Sequence, residues 1–237
     1  MLMKIITRTM KKQEKPEERL KRIIQAKPKR TLVLGLDEAN RGELVGSMFI
    51  AGVLMEENEA EELGKLGIVD SKQLTNNQIQ EKAETIQANA TKIFIEKVLP
   101  KDMDTYNIND LEAKAMAKIM NKAEIADKII ADNFEPTQEA FQKRISKFKY
   151  ALDNAELLAE HKADENHPIV AAASIIAKQA SLQEKREIEK EQGCCIGSGN
   201  PNDKTTLEWA TKNLDHWSLR RSWETYKRLK NDKKHNN

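Results

Sequence analysis

Asp37 and Glu38 stand side by side at the end of an apolar run, in TLVLGLDEANRGELVG (residues 31–46), with Arg41 and Gly42 just beyond. Acids at the end of a buried run are costly unless they are paired or coordinate a metal. Two more acids sit in similar places: Asp132 closes KIIAD, and Asp164 lies in AEHKADENHP. Carboxylates converging on one point repel one another unless neutralised. Divalent cations are the usual remedy, and hard oxygen ligands favour Mg²⁺ or Mn²⁺. Two such ions roughly 4 Å apart can activate a water and stabilise the leaving oxygen of phosphodiester hydrolysis. Spacing alone leaves a second reading open, a solvated hairpin end with unrelated acids at loop starts. His161 and His167 are alternative ligands or acid–base groups, although solvated or locally bonded imidazoles are the ordinary case. Ser71 has no histidine that the sequence would orient for a triad.

The elements that must position these acids follow from periodicity. Short apolar runs predict strands over Thr31–Asp37, Ser47–Met55, Lys92–Leu99, Lys128–Asp132 and Glu156–His161. Adjacent strand residues point to opposite faces, so Asp37 and Glu38 can share a site only if Glu38 lies past the strand, where ANRG re-aims it. Thr75 and Gln78 have capping-box spacing, which predicts a helix from about Asn76. Leu111, Ala115 and Ile119 mark an amphipathic helix over Asn109–Ala123. Further helices are expected over Pro136–Phe148, from Pro168, over Thr205–Asn213 and from Leu219 onward. Strands first, then alternating helices and strands, argue an α/β domain with a mixed five-stranded sheet flanked by helices, and a C-terminal helical segment. The expected divisions are residues 1–30 as a basic extension, 31–200 as the catalytic domain and 201–237 as the C-terminal segment and tail. No GxGxxG follows the first strand and no GxxxxGK[ST] occurs, which excludes the common nucleotide-binding loops.

Composition narrows the class. At 237 residues, 33% charged and 39% hydrophobic, the chain suits a soluble globular protein with a sizeable core. A net charge of +2 excludes a uniformly basic nucleic-acid binder, but residues 1–30 hold 11 Lys or Arg against 3 Glu, and the tail from Tyr226 is basic too. Basic ends on a near-neutral body could contact phosphates, or could be solvated termini. The two cysteines, Cys194 and Cys195, are neighbours and have no zinc-type spacing, so a reducing cytoplasm is expected. No apolar run reaches the roughly 18 residues of a membrane span, and MLMKII is too short for a signal-peptide core.

Five ordered motifs carry a resemblance. LDEANRG looks like a DEAGRG signature, VDSKQLT like a DSKKLT-like segment, AEHKADENHPIVAAASIIAK like AEHKAD…P-V-AAASI-AK, GSGNPND like GSGYPSD, and RRSWETYKRL like a closing R-x-SW-T segment. Over most of residues 32–230 the chain resembles ribonuclease HII, the type 2 ribonucleases H, in its archaeal form. The resemblance implies a ribonuclease H-like fold. It implies endonucleolytic cleavage of RNA in RNA–DNA duplexes and at ribonucleotides embedded in DNA, leaving 5′-phosphate and 3′-hydroxyl ends. A part in replication and in excision repair of ribonucleotides follows. It places the metal-binding acids on Asp37, Glu38, Asp132 and Asp164, with two Mg²⁺ or Mn²⁺ ions. ADNFEP around Asp132 departs from the usual DSPDV-like context. Arg41 and Gly42 fall in the loop that reads the 2′-hydroxyl, the group that tells RNA from DNA. Lys72 and Ser198 fall where phosphate contacts are expected.

Three departures stand out. Asn40 replaces the loop's first Gly, which would permit φ > 0 and close approach; Asn is the side chain next most tolerant of that region. Asn200 replaces a Tyr that packs on a sugar at the RNA–DNA junction. Glu43 replaces a proline and brings negative charge near a phosphate path. Retained metal chemistry with weaker junction discrimination is the expectation. Two other readings are a non-catalytic duplex-binding protein of the same fold and an integrase- or resolvase-type domain. All four acids remain, which argues against the first, and the GSG and RRSW motifs argue against the second. A monomer is expected, and no QxxLxxFF-like sequence at the C-terminus suggests a sliding-clamp partner.

Overall fold

The computed structural model describes residues 30–68, 74–148 and 155–235. The first apolar run forms β1 (Leu32–Ala39) and the second returns beside it as β2 (Met48–Glu56). After them come β3 (Lys92–Val98), β4 (Lys128–Asp132) and β5 (Glu156–Glu160). The five form one mixed sheet in the order β3-β2-β1-β4-β5, with β1, β4 and β5 parallel and β2 and β3 antiparallel to their neighbours. The strands therefore match the sequence expectation, except that β1 runs two residues further and His161 lies beyond β5.

Helices cover both faces. They are α1 (Glu57–Lys65), α2 (Asn76–Asn89), α3 (Pro100–Met103), α4 (Ile108–Lys122), α5 (Gln138–Ser146), α6 (Ala163–Asn166), α7 (Pro168–Gln192), α8 (Lys204–Lys212) and α9 (Glu224–His235). The expected capping box forms at α2: the Gln78 N–H donates to Thr75 Oγ1 at 3.3 Å and the Thr75 N–H to Gln78 Oε1 at 2.9 Å. Helix α5 begins later than expected because Thr137 is its cap, accepting from the Ala140 N–H at 3.2 Å. Pro136 stays outside. Helix α1 was not foreseen; its acidic run lacks the Ser or Thr that marks a start. Leu219 does not begin a helix either. Its backbone bridges Val45, and the helix waits until Glu224.

Two glycines let the layers close. A Cβ on Gly35 would sit 2.3 Å from the Ile169 carbonyl oxygen, and one on Gly52 2.4 Å from Ile119 Cγ2. Helix α7 thus lies directly on one face and α4 on the other. The first face buries Val33, Val53 and Ile130 against Val170, Ala173 and Ala177. The second buries Leu34, Leu36, Ile50 and Ile129 against Met116 and Ile119. The alternation along β1 is the period of two that a doubly covered strand requires. A third cluster, Leu44, Val45, Ile188, Ile196, Trp209, Leu219 and Tyr226, ties the loop after β1 to the C-terminal segment. Among the described residues no helix is long and apolar enough to cross a membrane.

Candidate active site

The parallel pairing of β1 and β4 ends at Leu36 opposite Ala131. The next residue of each strand is an acid, Asp37 and Asp132, so the register itself delivers two carboxylates to the same end of the two interior strands. Glu38 is not past the strand, as expected from the sequence; it lies within β1, opposite Ile50. Its carboxylate nevertheless joins those of Asp37 and Asp132. Carboxylate oxygens of Asp37, Glu38 and Asp132 all lie within 4.8 Å of one another.

This crowding has an electrostatic signature. Asp37 is 5% exposed. Burial first, then the neighbouring Glu38 and Asp132 charges, push its carboxyl well above the usual range, against a hydrogen bond from Ser174 on α7. The Glu38 N–H donates to Asp37 Oδ1 at 2.7 Å. Clustered hard oxygens with an excess of negative charge fit a divalent cation.

Asp164 is buried to 5% exposure in α6, which opens after Lys162 in the left-handed conformation. Its carboxylate is not one of the three that close within 4.8 Å, but Asp132 Oδ1 accepts the N–H of the adjacent Ala163 at 2.8 Å. Neither histidine joins the cluster: His167 Nε2 lies 2.7 Å from Glu160 Oε2, and His161 Nε2 lies 3.5 Å from the Pro136 carbonyl. Lys72 and Ser71 lie outside the described residues.

The loop after β1 is built differently from what its sequence suggested. Asn40 has φ 68°, the left-handed conformation expected of its position. Its amide turns inward, however, donating to the carbonyls of Val45 at 3.1 Å and Ser47 at 2.7 Å. The side chain thus zips the loop shut instead of adding bulk outside. Arg220, fully buried, donates to the carbonyls of Gly46 (3.0 Å), Arg41 (2.5 Å) and Asn40. Desolvation holds its pKa down at about 10, opposed by Glu43, Glu184 and Asp104. Glu184 on α7 receives the Ser47 N–H and hydroxyl, each at 2.6 Å, and Lys97 at 2.9 Å.

The Gly199 carbonyl accepts from the Leu44 and Val45 N–H groups at 2.8 and 3.3 Å, which joins the GSG loop to the loop after β1. Ser198 gives its hydroxyl to Asp203 at 2.8 Å, and Asn200 uses its Oδ1 to accept from Asn202 at 2.9 Å. Both side chains are committed to their own loop. Hydrogen bonds from Ser198 and Thr205 hold Asp203 down at about 2.

Arg41 points to α4. Its Nη2 donates to Asn109 Oδ1 at 2.5 Å, its Nη1 lies 3.3 Å from Glu112 Oε2, and its guanidinium sits 5.7 Å from the Phe134 ring centre. Glu112 is completely buried; desolvation and then Glu38 push its carboxyl well up, Arg41 pulls against them, and Asp132 and Glu135 add to the push. Sequence reasoning missed Glu112, Arg220 and Glu184. The signal for Glu112 was its four-residue step to Met116 and Met120, which puts an acid on a buried stripe.

The sequence matches the Ribonuclease HII family over residues 34–226. The chain belongs to the ribonuclease HII family. A ribonuclease HII from Methanothrix thermoacetophila is 35% identical over 208 residues, covering 84% of this chain and 97% of that protein. The crystal structure of ribonuclease H2 from Pyrococcus horikoshii OT3 superposes with TM-score 0.76 at 33% identity, covering 85% of this chain and 98% of that one. The ribonuclease HII from Archaeoglobus fulgidus, solved in complex with PCNA, superposes with TM-score 0.73 at 29% identity, covering 83% and 96%. As a member of the ribonuclease HII family the chain is an endoribonuclease of the ribonuclease H type, active on RNA–DNA hybrids and dependent on divalent metal. Its fold is the ribonuclease H-like one expected. The expectation of no clamp partner draws no support from the Archaeoglobus relative, which is solved bound to PCNA.

Proposed function

We propose that this ribonuclease HII cleaves the RNA strand of hybrids and also incises duplex DNA at embedded ribonucleotides, leaving 5′-phosphate and 3′-hydroxyl ends. The observation that carries the reading is the closure of Asp37, Glu38 and Asp132 to within 4.8 Å at the end of two parallel strands. These three, with Asp164 beside them, would hold two Mg²⁺ or Mn²⁺ ions. Bound there, the ions would activate the attacking water and stabilise the leaving oxygen. The chain's own part is geometric. Ser174 and the Glu38 N–H fix the Asp37 carboxylate, and the Ala163 N–H fixes that of Asp132.

Recognition of the ribose falls to the loop after β1. A Cβ on Gly42 would meet nothing within 4 Å, and Gly42 is not among the residues with positive φ. Neither packing nor conformation asks for glycine there, whereas a nucleic-acid backbone seated on the loop would. The inward turn of Asn40 removes the steric objection to close approach. Ser198 would then serve through backbone geometry, since its hydroxyl is engaged. Asn200 lacks the ring surface for a junction sugar, so the preference for RNA–DNA junctions would be weaker.

The test is cleavage of a long hybrid and of a duplex with one ribonucleotide, with Mg²⁺ and with Mn²⁺, by the parent and by Asp37→Asn. Activity that survives Asp37→Asn would overturn the assignment of the acids. Failure to incise the single ribonucleotide would confine the enzyme to hybrids.

A further inference from the structure

Arg41 lies in the recognition loop, yet both terminal nitrogens of its side chain face the protein. Nη2 donates to Asn109 and Nη1 is ion-paired, without a hydrogen bond, with Glu112 at 3.3 Å; the two residues are three apart on one face of α4. The same Asn109 donates its Nδ2 to Glu135 Oε1 at 2.9 Å, and the Glu135 N–H donates to Asn133 Oδ1 at 2.8 Å. Phe134 lies beneath the guanidinium. A continuous path therefore runs from Arg41, three residues after Glu38, to Asn133, the residue after Asp132. It spans the gap at which β1 and β4 stop pairing.

Glu112 is the odd member. It is fully buried, and neither of its carboxylate oxygens has a hydrogen-bond partner among the described residues. Such a group costs stability unless something repays it. Its placement beside Arg41 is a reason to keep it that folding does not supply.

We propose that Glu112 is a positioning residue: with Asn109 it holds the Arg41 side chain as an inward brace that sets the spacing of the β1 and β4 acids. The Arg41 side chain then serves the carboxylate geometry and is not a phosphate contact. This rests on the hybrid-cleaving reading, whose own failure would show separately as activity in Asp37→Asn.

The experiment compares Glu112→Met, Glu112→Gln, Arg41→Met and the double variant Arg41→Met/Glu112→Met. Melting temperature, kcat and KM on a long hybrid, Mn²⁺ binding by calorimetry without nucleic acid, and the salt slope of hybrid binding in EDTA are measured. Removing one member of a buried ion pair is costly when it strands the other charge in the interior, but Arg41 is part-exposed and keeps Asn109, and Glu112 itself has no hydrogen bond to lose among the described residues. Glu112→Met should therefore melt no lower than the parent, yet lose tenfold or more in kcat with KM within twofold. Its Mn²⁺ affinity should fall severalfold. Glu112→Gln keeps an acceptor for Arg41 and should stay within threefold of the parent. Arg41→Met should repeat the Glu112→Met pattern with an unchanged salt slope, and the double variant should be no worse than either single one. Full kcat in Glu112→Met would overturn the proposal. So would an Arg41→Met variant whose salt slope drops by about one, the mark of a lost phosphate contact.

Discussion

The backbone N–H of Ala163 donates to Asp132 Oδ1 at 2.8 Å, so the acid that ends β4 also caps the short helix carrying Asp164. One carboxylate thereby fixes the position of another. Asp132→Asn keeps an oxygen that can accept this bond but removes the charge. Asp132→Ala removes both. Both variants should lose about a hundredfold to a thousandfold in hybrid cleavage, the range seen when one preorganised electrostatic group is removed. Only Asp132→Ala should also lose the cap, worth about 1 kcal/mol, or about 2–4 °C of melting temperature at this domain size. Calorimetry on the pair separates the two roles.

The raised carboxyl of Asp37 makes the protein's stability depend on pH and metal together. An acid whose folded pKa lies above its unfolded value binds more protons when folded. Its contribution is unpenalised below the ordinary carboxylate range and is lost as pH rises towards the folded pKa. Glu112 acts in the same direction. The metal-free protein should accordingly lose stability as pH climbs from about 4 towards neutrality. A divalent ion binds the ionised form, so it should raise the melting temperature more at pH 8 than at pH 5, and binding should release protons. Differential scanning fluorimetry across pH, with EDTA and with Mn²⁺, checks this. Asp37→Asn should flatten both trends.

Gly35 and Gly42 are expected to fail in opposite ways. A Cβ on Gly35 would meet the Ile169 backbone at 2.3 Å, while one on Gly42 would meet nothing. Gly35→Ala should destabilise the fold by about 1–3 kcal/mol or more, the usual cost of overpacking. Gly42→Ala should leave the melting temperature unchanged and raise KM for the hybrid. An unaltered KM in Gly42→Ala would remove this loop from the substrate path.

The sheet was legible because each strand is a short apolar run, and the acids because three of those runs end in or just before one. The α2 cap was legible for a similar reason, since Thr75 and Gln78 are local. What was not legible depends on approach between distant segments. Nothing in the loop's own sequence announces that its carbonyls are satisfied from inside, because the donor, Arg220, comes from 180 residues away. Ser47 likewise meets Glu184 across 137 residues. That Glu38 shares the site with Asp37 was legible, but not that it does so from within β1, where alternation alone would aim it to the other face.

Arg220 holds the loop after β1 from beneath. Its guanidinium satisfies the carbonyls of Asn40, Arg41 and Gly46 from a fully buried position, with the Trp223 ring 5.0 Å away. Lysine is a point charge on a flexible stem and cannot reproduce a planar fork to three acceptors. Arg220→Lys should thus keep the charge while leaving at least one carbonyl unpaired, at about 1–3 kcal/mol. Arg220→Met leaves all three unpaired and strips Glu43 and Glu184 of a neighbouring cation, costing about 3–5 kcal/mol. Because the loop bearing Gly42 hangs on these bonds, kcat/KM on the hybrid should fall in the order parent, Lys, Met. Mn²⁺ affinity at the acids should change much less, since none of them touches Arg220 in the hydrogen bonds it makes. Parallel losses of metal binding and substrate binding would show that Arg220 supports the whole site and not the loop alone.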